Sequence, residues 1–206
     1  MERVITYIDG FNLYFGLRQK RWQRYYWLDV LALSRALLKP TQQLEMVRYF
    51  TSRVTEKPSD PGQPRRQHIY LEALETLPQT TLHFGHYLSK PATCKSCGAQ
   101  YTKYEEKMTD VNIAMELLTD AHQDAFDTAI VISGDSDLTG PVLKIRDLFP
   151  TKKVIVAFPP ERSSDQLKRA AHGHFIIGRA NLAASQLPDP VSSKTGFPLK
   201  RPSSWA

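Results

Sequence analysis

The stretch ITYIDGFNLYFGL, residues 5–17, carries the reading of the fold. Its first half continues an apolar, β-branched run, Val4–Ile8, and Asp9 and Gly10 follow with no intervening polar turn. A short run that is apolar at consecutive positions suits a strand covered on both faces, as in a parallel sheet between helices. A carboxylate at the end of such a strand is costly unless something compensates it, so Asp9 closes either a tight turn or a cation site. Three further runs have the same character: Met46–Phe50, Ala129–Ser133 and Val154–Phe158. Leu82–Leu88, LHFGHYL, reads as another strand, interrupted by Gly85. Helical stripes lie between the runs. Leu28, Leu31, Ala32, Arg35 and Leu38 share one face, Ile113, Ala114, Leu117, Leu118 and Ala121 a second, and Leu138, Val142, Ile145 and Leu148 a third; a further helix is expected near Ile69–Leu77. Alternating strands and helices predict a doubly wound α/β domain.

A chain of 206 residues has room for one such domain and an appendage. Its 41% hydrophobic and 23% charged residues place it among core-forming globular proteins. No apolar run approaches the roughly 20 residues that span a bilayer, so no membrane association is expected. Asp9 and Asn12 interrupt the first apolar segment, which argues against a secretory leader. Two cysteines, Cys94 and Cys97, are too few for a disulfide framework, and the chain reads as cytoplasmic. The net charge of +6 leans towards a polyanionic partner. The expected organisation is a domain over residues 1–186, with an insertion near 89–107 that carries the cysteine pair. Residues 187–206 form a basic, Pro/Ser-rich C-terminal arm, either disordered or packed along the surface.

In open parallel sheets, ligands bind at the carboxyl ends of the strands, near the switch in strand order. Asp9 ends the first strand, and VISGDSD, residues 131–137, brings Asp135 and Asp137 to the same edge. Asp110 opens the helix TDVNIAMELLTDA, and Ile113, Ala114 and Leu117 follow it at helical spacing, so it caps the buried stripe where that helix starts. Four crowded carboxylates cannot all remain ionised unless a cation joins them, and an oxygen-only donor set suits Mg²⁺ or Mn²⁺ better than zinc. Taken singly, each has a plain structural role: a turn at Asp9-Gly10, a helix cap at Asp137, a first-turn helix acid at Asp110. Their convergence on one sheet edge favours the cation.

YIDGFNLYF, EEKMTDVNIAMELL and VISGDSDLTGPV resemble the motifs of the NYN domain, of the LabA-like type, within the PIN-like nuclease superfamily, over about residues 3–180. The resemblance implies a three-layer α/β/α sandwich around a parallel, roughly five-stranded sheet, and metal-dependent cleavage of RNA. It implies an acidic, metal-holding and catalytic site of Asp9, Asp110, Asp135 and Asp137. Asn12 would orient Asp9 or bind a water on the metal, Lys107 accompanies Asp110, and Ser133 and Ser136 would support the loop. The additional acid that many PIN proteins carry after the first strand has no counterpart here beyond Glu45, Glu56 and Asp60, which match by type alone, so one ion is expected rather than a fixed pair. Such a cation polarises a phosphoryl oxygen and lowers the pKa of water, while Asp110 or Asp135 accepts the attacking water's proton. No 2′-hydroxyl is required, so the chemistry admits DNA beside single-stranded or structured RNA.

Other features point less far. A haloacid-dehalogenase type of phosphatase would need an acid where Phe11 stands, and no glycine-rich dinucleotide loop is present. RQKRWQRYYW, residues 18–27, interleaves Arg18, Lys20, Arg21 and Arg24 with Trp22, Tyr25, Tyr26 and Trp27. It is either a single-strand contact or an amphipathic stretch whose aromatics enter the core. Arg65, Arg66, Lys152, Lys153, Lys168 and Arg169 are dispersed and individually read as solvated faces, though any could line a groove, and His172 and His174 read as surface residues. CKSCG is half of a zinc-ribbon pattern. Zn²⁺ at Cys94 and Cys97 would need two further ligands, from His83 and His86 or from a second copy in a homodimer, and a metal-free turn fits the spacing equally. Two function classes follow: a Mg²⁺/Mn²⁺-dependent ribonuclease, or a catalytically weak PIN-like module that binds RNA or protein. Clustered acids favour the enzyme, because an RNA-binding surface gains nothing from them.

Overall fold

The computed structural model describes residues 1–205, with the backbone alone for Tyr87, Ser89 and residues 103–106. The chain runs β1 (Glu2–Asp9), α1 (Gly10–Gln19), α2 (Val30–Ala36), β2 (Gln42–Thr51), α3 (Gln63–Leu74), β3 (Thr80–Phe84), β4 (His86–Thr93) and β5 (Gln100–Lys107). It continues as α4 (Thr109–His122), β6 (Thr128–Ile132), α5 (Thr139–Leu148), β7 (Lys153–Phe158), α6 (Asp165–Ala170), β8 (Gly173–Ile176), α7 (Arg179–Ala184), β9 (Val191–Ser192) and β10 (Pro198–Leu199). Six strands form one sheet in the order β3-β2-β1-β6-β7-β8, and every pairing in it is parallel. Helices cover both faces, so the fold is the expected three-layer α/β/α sandwich, with six strands rather than five. The extra strand is the edge strand β8; its four residues alternate half-buried with exposed and carry His174, a pattern too short and too polar to stand out as an apolar run. His172, just before it, is exposed, yet its Nδ1 accepts the Val154 amide at 3.0 Å and so helps seat β8 beside β7.

Two local readings change. LHFGHYL is not one strand: Gly85 is the corner at which β3 leaves the sheet and β4 begins, its amide donating to the Thr51 carbonyl at 2.8 Å. β4 and β5 then form a separate antiparallel hairpin. The α2 stripe is also rotated, since Val30, Leu31, Leu33 and Ser34 are buried whereas Arg35 is exposed. The Asp29 carboxylate caps this helix by accepting the Ala32 amide at 2.8 Å, which starts it two residues later than the hydrophobic pattern suggests.

One face of the sheet packs against α1, α2, α3 and α7 through Leu13, Leu17, Leu33, Leu71, Leu74 and Leu182. Residues 187–205 join this same cluster through Leu187, Val191, Leu199 and Trp205, and the Trp27 indole N–H donates to the Pro188 carbonyl at 2.9 Å. The opposite face packs against α4, α5 and α6 through Ile113, Leu117, Val142, Ile145 and Leu167. Among the described residues, no helix is long and apolar enough to cross a membrane.

On the α4 face sits a buried ion pair. Arg48 of β2 grips Asp120 of α4 with two hydrogen bonds of 2.6 Å, and the Tyr7 hydroxyl donates to the same carboxylate at 2.6 Å. Arg48 also reaches Glu116 at 3.1 Å. Removing one partner of a buried pair strands the other charge, at a cost of about 3–5 kcal/mol. Asp120→Ala is therefore expected to lower unfolding stability by roughly that amount in urea titration. A loss below about 1 kcal/mol would show that water screens Arg48 as it does a surface ion pair.

Candidate functional site

The strand order reverses between β1 and β6, so their carboxyl ends flank the switch point. Asp9 ends β1 and is only 5% exposed. It serves as N-cap of α1: one carboxylate oxygen accepts the Asn12 amide at 2.9 Å, and the other accepts the Ser133 hydroxyl at 2.9 Å. Ser133 Oγ in turn accepts the Asp135 amide at 3.0 Å, and Asp135 Oδ1 accepts the Asp137 amide at 3.0 Å. The Asn12 side-chain Oδ1 accepts the Gly134 amide at 2.9 Å and fastens the loop after β6 to α1. Glycine is required at two points of this frame. A Cβ on Gly10 would lie 2.5 Å from the Tyr49 hydroxyl and 2.8 Å from the Phe50 carbonyl oxygen. One on Gly134 would lie 2.9 Å from the backbone carbon of Arg162. The glycines of IDG and SGD thus permit close backbone approach on either side of Asp9.

Electrostatics mark Asp9 out. Burial pushes its carboxyl up to about 7; the hydrogen bonds from Asn12 and Ser133 oppose this, and the charges of Asp110 and Asp135 add to it. The half-buried Asp110 enters from the first turn of α4, behind Met108, which holds a left-handed backbone (φ 80°) at the turn out of β5. Asp135 is half-buried, while Ser136, Asp137 and Lys107 are exposed. The donors are oxygens only and include an acid raised to about 7 by burial, with the charges of two other carboxylates adding to it, a set that fits a hard divalent cation in chemistry and charge. The set is not closed: among the described residues no three carboxylate, imidazole or thiol groups stand ready around one point.

The remaining candidates are dispersed. Tyr25, Tyr26 and Trp27 are buried in the core, whereas Arg18, Lys20, Arg21 and Arg24 are exposed around half-buried Trp22. Lys20 pairs with Glu161 at 2.5 Å, and the Arg179 guanidinium lies 5.9 Å from the Trp22 ring. Cys94 and Cys97 sit in the turn between β4 and β5, where backbone hydrogen bonds from Cys97 and Ser96 lower the Cys94 thiol. His83 is stacked on Phe50 and faces Glu116 at 3.5 Å, so it does not join the cysteines, and His86 is exposed. Asp60 is paired with Arg66 at 2.5 Å; Glu56 is exposed, and Glu45 lies in the first half of β2, away from its carboxyl end.

One feature has no trace in any single motif. Beside Gly10 and Phe11 opens a two-part chamber, with an inner space of about 90 Å³ and an outer one of about 360 Å³. Tyr14, Tyr26, Tyr49, Tyr70 and Trp205 wall the inner part. They come from five separate segments of the chain, so neither spacing nor periodicity could have grouped them.

A protein from Pseudomonas putida, named 6-hydroxy-3-succinoylpyridine 3-monooxygenase, is 27% identical over 98% of this chain and 75% of its own length. The crystal structure of a protein of unknown function from Vibrio parahaemolyticus shares the fold at a TM-score of 0.54, with 19% identity over 90% of this chain and 96% of its own. The family model described as NYN domain matches residues 3–183, which takes in the Asp9 strand, the Asp110 helix and the Ser133–Asp137 loop, and the chain belongs to the NYN domain family, within the PIN-like nuclease superfamily.

Proposed function

We propose that the chain is a divalent-metal-dependent ribonuclease that hydrolyses phosphodiester bonds at the edge formed by Asp9, Asp110 and Asp135. The observation that carries this is the buried carboxyl of Asp9, raised to about 7 by burial with Asp110 and Asp135 beside it. A divalent cation would bind that carboxyl in its ionised form, displacing the proton to solvent, and would offset the burial and the neighbouring charges that raise it. Mg²⁺ or Mn²⁺ held there supplies Lewis-acid polarisation of the scissile phosphate. The protein's own part is positioning and proton transfer. Ser133 and the α1 amide of Asn12 keep Asp9 in one orientation. Asp110 or Asp135, both half-buried, accepts the proton of the attacking water. Exposed Arg18, Arg21 and Arg24 contact backbone phosphates, which makes binding weaken with salt.

A second reading comes from the Pseudomonas relative, whose name describes oxygenation of a substituted pyridine; the chamber walled by aromatic rings beside Gly10 favours it. Oxygen consumption dependent on such a pyridine, with no cleavage of RNA, would select it.

End-labelled RNA and single-stranded DNA incubated with Mn²⁺, Mg²⁺ or EDTA test the first reading. Cleavage of RNA only with metal, reduced about 100-fold or more in Asp110→Asn, is the expected result. Unchanged RNA binding with no cleavage by either protein would make the chain a binding module.

The titration of Asp9 has a sign that can be measured. Its folded pKa of about 7 lies above the ordinary 3.8, so between these values the folded chain holds the extra proton and loses stability as pH rises. In EDTA, stability should fall by on the order of a few kcal/mol from about pH 4 to about pH 7 relative to Asp9→Asn, and Mn²⁺ should flatten that difference. Parallel pH profiles of the two proteins in EDTA would contradict the raised carboxyl.

A further inference from the structure

We infer that the aromatic chamber beside Asp9 is a binding site for a planar aromatic ring bearing an anionic group. Its walls are ring faces and edges set at close spacing. Tyr14 and Tyr26 lie 4.9 Å apart between centroids, and Trp205 meets Tyr26 at 5.5 Å and Tyr70 at 6.0 Å. Flat rings exposed to a common space hold another flat ring by stacking and edge contacts, with little regard to which ring it is. The outer part, at about 360 Å³, falls within the range usual for small-molecule sites.

Polar groups sit at the two ends of the chamber. Tyr49 lines the inner part, its hydroxyl beside Gly10. Tyr49 is only 6% exposed, and its hydroxyl can donate to an acceptor on a ring bound in the chamber. Burial, and then the neighbouring Asp9, hold the Tyr49 hydroxyl in its protonated form. Gln67 is not free to play this part, because it accepts the Val54 amide and donates to the Ser52 carbonyl. At the mouth stand Arg18, Lys57 and Arg66, and among the described residues Asp60 is the acid that lines it. Asp60 offsets Arg66 in part, and exposed Arg18 stands beside them. A donor at the apolar end and cations at the open end specify a ring with a hydrogen-bond acceptor on one side and an anion on the other.

Nucleobases with their phosphate and small aromatic acids both have this chemistry. Trp205, which closes the chamber, belongs to residues 187–205 and packs on Tyr26 and on Tyr70 of α3 rather than on the acidic edge, so ring binding does not depend on the carboxylates being catalytic.

The test is titration of the full chain in EDTA, which removes any metal-dependent step, with uridine 5′-monophosphate, pyridine-3-carboxylate and ribose 5-phosphate. Binding is read by calorimetry and by quenching of tryptophan fluorescence. Saturable binding of at least one ring anion is expected, and none of ribose 5-phosphate. Preference for the nucleotide identifies a nucleic-acid source for the ligand, and preference for the pyridine acid a small-molecule source. Tyr14→Leu should weaken the preferred ligand about 10-fold or more. Arg66→Gln, at the mouth and outside the packed core, should weaken it relative to uridine or pyridine-3-carboxamide, which lack the anion. Absence of saturable binding by both ring anions overturns the inference, as does binding unchanged in both variants. Cleavage activity, whether present or absent, leaves this result standing on its own.

Discussion

The burial of the Asp9 carboxyl is the constraint from which the rest of the edge follows. A carboxylate 5% exposed at the end of a fully covered strand needs donors, and the structure supplies them from two different elements. The Asn12 amide comes with the start of α1, which fixes where that helix begins. The Ser133 hydroxyl comes from the end of β6, which fixes the loop after it. Gly10 and Gly134 are needed because this arrangement draws the backbone against Tyr49, Phe50 and Arg162. Two hydrogen bonds do not fully offset burial beside Asp110 and Asp135, and the result is a group that titrates near neutrality rather than in the carboxylate range.

The two faces of the sheet serve different ends. On the α4 face, Arg48, Asp120 and Tyr7 form a hydrogen-bonded cluster that ties β1 and β2 to the helix on which Asp110 sits. An ion pair held this tightly fixes the position of α4 more than it adds to net stability, since its desolvation consumes most of the attraction. On the α1 face, aromatic rings and the C-terminal residues enclose a chamber next to the same edge. An acidic edge and an aromatic chamber therefore share one switch point, with Gly10 and Phe11 between them.

Much of this was legible in the sequence. The runs at Val4–Ile8, Met46–Phe50, Ala129–Ser133 and Val154–Phe158 correspond to the four central strands, because strands covered on both faces are mostly apolar; Arg48 is the charged exception, and Asp120 pairs with it. The edge strand β8 escaped for the converse reason: half-exposed, it tolerates His174. The strong aromatic content of residues 18–27 left two readings open, and burial of Tyr25, Tyr26 and Trp27 resolves those three rings into the core while the intervening cations stay in solvent. Gly85 was visible as an interruption, but only the hydrogen bond from its amide to Thr51 shows that it turns the chain out of the sheet.

What the sequence by itself determined is the alternation of strand and helix and the placing of Asp9, Asp110 and Asp135 at element ends, because both depend on local pattern and on a topological rule that holds for all open parallel sheets. What only the tertiary structure decided is how those residues are held and what stands beside them. Asn12 binds Gly134 across 122 residues, Asp120 meets Arg48 across 72, and five aromatic rings from separate elements share one wall. Such contacts are set by the packing of whole layers, and the residues that make them carry no periodicity or spacing along the chain.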